Sequence, residues 1–172
     1  LELPRLYSEI LTESESIKKL CKNIIRSNSV LYLGRDILYP IALEGALKLK
    51  EISYLHAEGY ASGELKHGPI ALIDESMPVV ALNPSTKVFQ KTLSNLEEVK
   101  ARRGKMILFT DEKGKKLSKD LTKSIFQLPN CADFLVPILY SLPLQLIAYY
   151  TALEKGTDVD QPRNLAKSVT VE

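Results

Sequence analysis

The chain has little of what metal centres and disulfide scaffolds are made from. Only two cysteines and two histidines occur among its 172 residues. A three-histidine metal site therefore cannot be assembled, and neither HExxH nor a paired-cysteine spacing is present. Cys21 and Cys131 lack the density of a disulfide framework, and they are expected to be reduced, buried thiols of a cytoplasmic protein. Charge of one sign is also missing. Charged residues make up 26% but nearly cancel to +2, with no basic face interleaved with aromatics, which argues against a nucleic-acid partner. The opening LELPRLYSE has no basic segment followed by an apolar one, so no secretory signal is visible. There is no initiator methionine either, and the start within a polar lead-in is what a piece of a longer polypeptide would show. Of long hydrophobic runs there is one, Leu135 to Leu153. It contains Pro137, Ser141, Pro143 and Gln145 and lacks flanking basic clusters, so a buried helix kinked near Pro143 is expected, not a membrane span.

What is present is a hydrophobic content of 45% in a length suited to one domain with one sheet. Apolar residues recur at helical spacing from Leu6 to Ile25, predicting an amphipathic lead-in helix. Val30–Leu33 reads as a buried strand ended by Gly34. A long helix is expected from Pro40 to Glu58 with Gly59 as its stop, and a short one from Gly63 to Leu72. Strands follow at 79–82, 106–109 and 124–128, with a helix at 88–103 and a Lys-rich loop at 111–123. Strand and helix alternate, which predicts an α/β fold: a three-layer αβα sandwich on a doubly wound parallel sheet. Residues 1–156 would form the domain and 157–172 an irregular tail lying against it. A single helical turn in that tail would direct Arg163 and Lys167 the same way.

On the long helix, at about 100° per residue, Glu44, Lys48 and Glu51 fall within about 60° of one another. The rest of the circumference, including Leu43, Ala46, Leu47, Leu49 and Ile52, is suited to burial. Two carboxylates and an ammonium so placed are either a solvent-facing strip of ordinary ion pairs or the polar wall of a pocket with a carboxylate for proton transfer. His67, in KHGP, is placed at a loop edge where ligands are met, though a lone histidine is also a common structural residue. His56 is the weaker candidate. Lys167 is by default a solvated lysine; burial or the neighbouring Arg163 would lower its pKa enough for attack on a ketone. The loop Asn83-Pro84-Ser85-Thr86, between strand and helix, is positioned to hold an anion but has no glycine and is a poor phosphate cradle.

Three stretches, Leu33-Gly-Arg, YPIALEGALKLKEISYLHAEGYASGELKHGP from Tyr39, and KGTDVDQPRNLAKSVTVE from Lys155, closely resemble the C-terminal part of the glucosamine-6-phosphate synthases, the glutamine:fructose-6-phosphate aminotransferase family. The resemblance covers essentially the whole chain and implies the second of two sugar isomerase (SIS) subdomains. It implies that Lys167 forms a Schiff base with C2 of open-chain fructose 6-phosphate and that Glu51 moves the proton between C1 and C2 on the way to glucosamine 6-phosphate. Lys48 would act with them, Glu44, Arg163 and Ala166 would line the substrate site, and His67 would open the sugar ring in a neighbouring subunit of a homodimer. No metal, cofactor, nucleic acid or membrane is implied. The family's Ser/Thr-rich phosphate loop and its glutaminase domain lie outside this sequence. The isolated chain is therefore expected to bind fructose 6-phosphate poorly and to be inactive. The other readings are a sugar-phosphate-binding regulator and a structural dimerisation module.

Overall fold

The computed structural model describes residues 2–165. A five-stranded, all-parallel sheet runs through the domain in the order β2-β1-β3-β4-β5. Its strands are β1 (Ser29–Gly34), β2 (His56–Ala61), β3 (Pro78–Leu82), β4 (Lys105–Thr110) and β5 (Ile125–Gln127). Alternate side chains of the central strands enter two separate cores. Val30, Tyr32, Val80, Leu82, Ile107 and Phe109 face one side, and Leu31, Leu33, Val79, Ala81, Met106 and Leu108 the other. Burial on both faces is why these strands are continuous apolar runs, and it confirms the three-layer expectation.

The lead-in is broken into α1 (Glu2–Thr12), α2 (Ser14–Leu20) and α3 (Lys22–Ile25). These share the first core with α4 (Tyr39–Ser53) and α7 (Val136–Lys155). Over the second face lie α5 (Phe89–Ala101) and two 3₁₀ turns, Ser62–His67 and Pro69–Leu72, with Leu65, Ile73, Leu96 and Val99 in that core. The turns replace the single helix expected at 63–72, because Gly68 between them takes φ 145°, outside any helix. The expected Lys-rich loop contains α6 (Glu112–Leu117), whose first turn is capped by Asp111 accepting from the Gly114 N–H at 2.7 Å. Pro143 lies inside α7 without ending it. The apolar stretch Asp133–Lys155 has the length and composition to cross a bilayer, yet Leu139, Tyr140, Leu144, Ile147 and Ala148 are buried in the first core.

The fifth strand corrects the sequence expectation. Helix α4 ends at Ser53, five residues earlier than expected, and His56, Ala57, Glu58 and Gly59 belong to β2. What stops the helix is Tyr54, which adopts the left-handed conformation (φ 59°, ψ 18°) with its N–H on Lys50 O at 3.2 Å. Gly59 has a different job. A β-carbon there would lie 2.9 Å from Leu43 Cα and N, so α4 rests its backbone directly on β2 where only glycine fits.

Candidate functional site

α4 starts at the C-terminal edge of the sheet, just past β1, and returns to the opposite edge over about 22 Å. Pro40 sits in its first turn, where no intrahelical N–H bond is lost. Glu44, Lys48 and Glu51 are brought together as expected. The Lys48 ammonium donates to Glu51 Oε2 at 2.7 Å and lies 3.8 Å from Glu44 Oε1. The hydrogen bond donated to Glu51, reinforced by both carboxylate charges, raises the Lys48 pKa, so the ammonium stays charged through the neutral range. Side-chain exposures of 42% for Glu44, 35% for Lys48 and 27% for Glu51 place the stripe in a half-buried setting. Such pairs contribute about 0–1 kcal/mol to folding. The stripe therefore does little for stability; what it does is hold an ammonium between two carboxylates.

Beside the stripe, the expected burial fails. Leu43 is 43% and Leu47 42% exposed, although Ala42, Ala46 and Leu49 on the opposite side are in the core. Half-buried charges flanked by open leucines invert the usual surface pattern.

The tail is tied to the C-terminal end of this same helix. α7 stops at Gly156 (φ 69°), and Thr157 then donates from its hydroxyl to Ile52 O at 2.6 Å, satisfying a carbonyl that the last turn of α4 leaves free. Asp158 accepts from the Asp160 and Gln161 N–H groups and turns the chain. Arg163 then lands on Tyr54: its backbone N–H donates to the phenol oxygen at 2.9 Å, and its guanidinium carbon lies 4.2 Å from the ring centroid. Arg163 thus arrives at the end of α4, one turn beyond Glu51. Asn164 takes a left-handed φ of 62°, and the turn expected from Arg163 to Lys167 runs beyond the described residues. Lys167 and Ala166 lie outside the described residues.

His67 is not brought to the stripe. It is exposed at the C-terminal edge of the sheet, beyond β2, with Nδ1 2.7 Å from Glu64 Oε2. The length of β2, about 17 Å, separates that edge from the end of α4 that carries Glu51. His56 opens β2 instead of lying on the helix, 3.5 Å from Glu58. Cys21 is buried and free, as expected; Cys131 is free but only half-buried, against the expected burial. No grouping of three or more His, Cys, Asp or Glu suited to a metal is found among the described residues. Sequence reasoning missed Tyr54 and Thr157, since neither carries a motif. The one available signal was that both lie within the stretches that carry the family resemblance.

A parallel 2-1-3-4-5 sheet with a charged helix stripe defines a class, and comparison with known proteins agrees with it. The family model described as SIS domain matches residues 23–155, and the chain belongs to that family. Beyond the family, it is 59% identical over 172 residues to the glutamine-fructose-6-phosphate aminotransferase (isomerizing) of Bradyrhizobium diazoefficiens, covering 100% of this chain. It is 58% identical over 171 residues to the enzyme of that name from Bartonella quintana, covering 99% of this chain. The chain spans 28% of the length of each of these relatives. Among solved structures, the C-terminal domain of glucosamine-fructose-6-phosphate aminotransferase from Francisella tularensis superposes with a TM-score of 0.84 at 46% identity, over 91% of this chain and 44% of that one.

Proposed function

We propose that this chain is the second SIS domain of a glutamine-fructose-6-phosphate aminotransferase. In this reading it supplies one wall and the tail of a site that turns fructose 6-phosphate into glucosamine 6-phosphate. The observation that carries the reading is the convergence on one helix end of the Glu44-Lys48-Glu51 stripe and of the tail held by Tyr54. That anchoring brings the chain to within a few residues of Lys167 beside Glu51.

In the mechanism, the Lys167 amine adds to C2 of the open-chain ketose and water leaves, giving an imine that acidifies the C1–H. Ammonia adds to that imine and displaces the Lys167 amine, and Glu51 then takes the C1 proton and returns it at C2, leaving the C1 aldehyde and the free C2 amine of glucosamine 6-phosphate. Lys48, kept charged, fixes the Glu51 carboxylate through their hydrogen bond and offsets the negative charge that develops on the substrate. Glu44 holds Lys48 from the other side, while Arg163 and Ala166 line the approach. Because His67 stands a strand's length from Glu51 in one chain, ring opening by His67 requires a second copy, hence a homodimer. The open Leu43 and Leu47 fit a helix face covered by another part of the parent polypeptide: its first SIS subdomain, with a glutaminase domain supplying ammonia. Residues 1–156 then act as the domain and 157–172 as the catalytic tail of a cytoplasmic enzyme, and the chain alone lacks the phosphate-binding wall needed for activity.

The test is reductive trapping in the full-length polypeptide. After incubation with fructose 6-phosphate and borohydride, the sugar adduct is expected on Lys167 by mass spectrometry and is lost in Lys167→Arg. Glu51→Gln should keep the adduct while losing hydrogen exchange at C1. An adduct elsewhere removes Lys167 from the mechanism, and normal C1 exchange in Glu51→Gln removes Glu51. A regulator that only binds the sugar phosphate would give no adduct at all.

A further inference from the structure

His67 and Glu64 share a turn whose other side chains are held against the domain. In the 3₁₀ turn Ser62–His67, the Ser62 hydroxyl donates to Gly34 O at 3.1 Å and Leu65 is fully buried in the second core. The Lys66 ammonium lies 2.8 Å from Glu98 Oε1 on α5. These three contacts fix the turn on the sheet and on α5. Gly68 then takes φ 145° and ends it directly after the histidine. Glu64 and His67 are left pointing outward, their side chains 65% and 70% exposed.

With three residues per turn, positions i and i+3 of a 3₁₀ helix eclipse. Glu64 and His67 stand in that relation, and Glu64 Oε2 lies 2.7 Å from His67 Nδ1. An exposed pair of this kind adds next to nothing to folding, because water screens it. Its effect is on the imidazole. A carboxylate has no proton to give and can only accept, so Nδ1 carries the hydrogen. Nε2 then keeps its lone pair, directed away from Glu64.

On the reading of His67 as the ring-opening residue, on which this inference rests, we infer that Glu64 is a positioning residue that makes Nε2 the working nitrogen. The ring of fructose 6-phosphate is closed by a bond between C2 and O5. Nε2 takes the proton of the C2 hydroxyl, and the O–H pair becomes the second bond of the C2 carbonyl. The C2–O5 bond breaks with its pair on O5, and Nε2 returns the proton there. Both oxygens sit on C2, so one nitrogen serves both transfers. Glu64 keeps the ring from turning over and offsets the imidazolium charge that forms between the two transfers. With the hydrogen on Nε2 instead, the histidine presents the sugar with no base.

Two readouts test this. With ¹⁵N in the imidazoles, the chain shows only two such rings, His56 and His67. At pH about 9, where an ordinary imidazole is neutral, His67 is expected in the Nδ1–H form and should pass to the Nε2–H form in Glu64→Ala. That exposed variant should melt with the parent. The second readout is turnover of the full-length enzyme on fructose 6-phosphate and on its 5-deoxy analogue, which lacks the hydroxyl that closes the ring. Glu64→Ala should lower kcat/KM on fructose 6-phosphate about tenfold and leave the analogue unchanged. His67→Asn should show the same split, at about 100-fold or more. A parent His67 in the Nε2–H form overturns the positioning role. So does a Glu64→Ala effect that is equal on the two substrates, or absent where His67→Asn shows the split. If His67→Asn fails to tell the substrates apart, ring opening by His67 falls, and this inference with it.

Discussion

Tyr54 offers the sharpest test of how the tail reaches the stripe, because its two contacts with Arg163 can be removed one at a time. Tyr54→Phe deletes the phenol oxygen that accepts the Arg163 N–H at 2.9 Å and keeps the ring under the guanidinium. A hydrogen bond of this kind is worth about 1 kcal/mol, or about fivefold in the docked-to-free ratio of the tail. Tyr54→Leu also removes the cation–π contact, about 0.5–1 kcal/mol at such a partly exposed site, for a combined loss of up to about 30-fold. Tyr54→Gly makes the same deletion but relieves the left-handed backbone, which costs a non-glycine residue about 1 kcal/mol. The domain should therefore be at least as stable in the glycine variant as in the leucine variant, while the tail is as loose. Hydrogen exchange at the Arg163 amide reads the docking, thermal melting reads the domain, and turnover of the full-length enzyme reads the consequence. Arg163 exchange that is the same in parent, Phe and Leu variants would refute the anchoring. Unchanged turnover in the leucine variant despite faster exchange would refute its bearing on catalysis.

Three further outcomes follow from the packing and charge. Gly59→Ala should destabilise the domain by about 1–3 kcal/mol in chemical denaturation, because the added carbon meets Leu43 backbone at 2.9 Å and not a side chain that could turn away. At pH 8, iodoacetamide should modify Cys131 slowly and leave Cys21 untouched until the chain is unfolded, since burial pushes the Cys21 thiol up to about 11 and raises that of half-buried Cys131. The small stabilisation from Lys48 should be constant below its ordinary pKa of 10.5 and fade only above it. The folded-state pKa is the higher one, so the folded chain keeps the proton longer as pH rises. Melting of the parent and of Lys48→Met between pH 7 and 11 checks this; a difference that fades near neutrality would contradict it.

The fold was legible where both faces of a strand are buried. Val30–Leu33, Val79–Leu82 and Met106–Phe109 are unbroken apolar runs, and each is a strand within a residue at either end. β2 was not legible. HAEGYA has no β-branched residue, lies at the sheet edge with most positions only half-buried, and follows a helix with no glycine between. The helix stop was placed on the wrong residue because Gly59 serves a close backbone approach, whereas the left-handed turn fell to Tyr54. Likewise the glycine and lysines of EKGKKL read as a loop, yet Asp111 caps them into α6. Within the site, helical spacing alone grouped Glu44, Lys48 and Glu51. Spacing could not say that Leu43 and Leu47 are open, because which side of a mostly apolar helix meets the core is settled by its partners, here α7 and the sheet.

The contact between Gly59 and α4 also bears on what this helix can be made to do. With no side chains acting as a cushion, its height and tilt over β2 are fixed by backbone against backbone. Substitutions in the surrounding core can alter stability while leaving the helix where it stands. The outward residues can then be exchanged like tools on a mounted rail. A designer wishing to re-aim the charged positions would do better to change the residues at 44, 48 and 51 themselves, or the length of the tail after Thr157, than to repack beneath them.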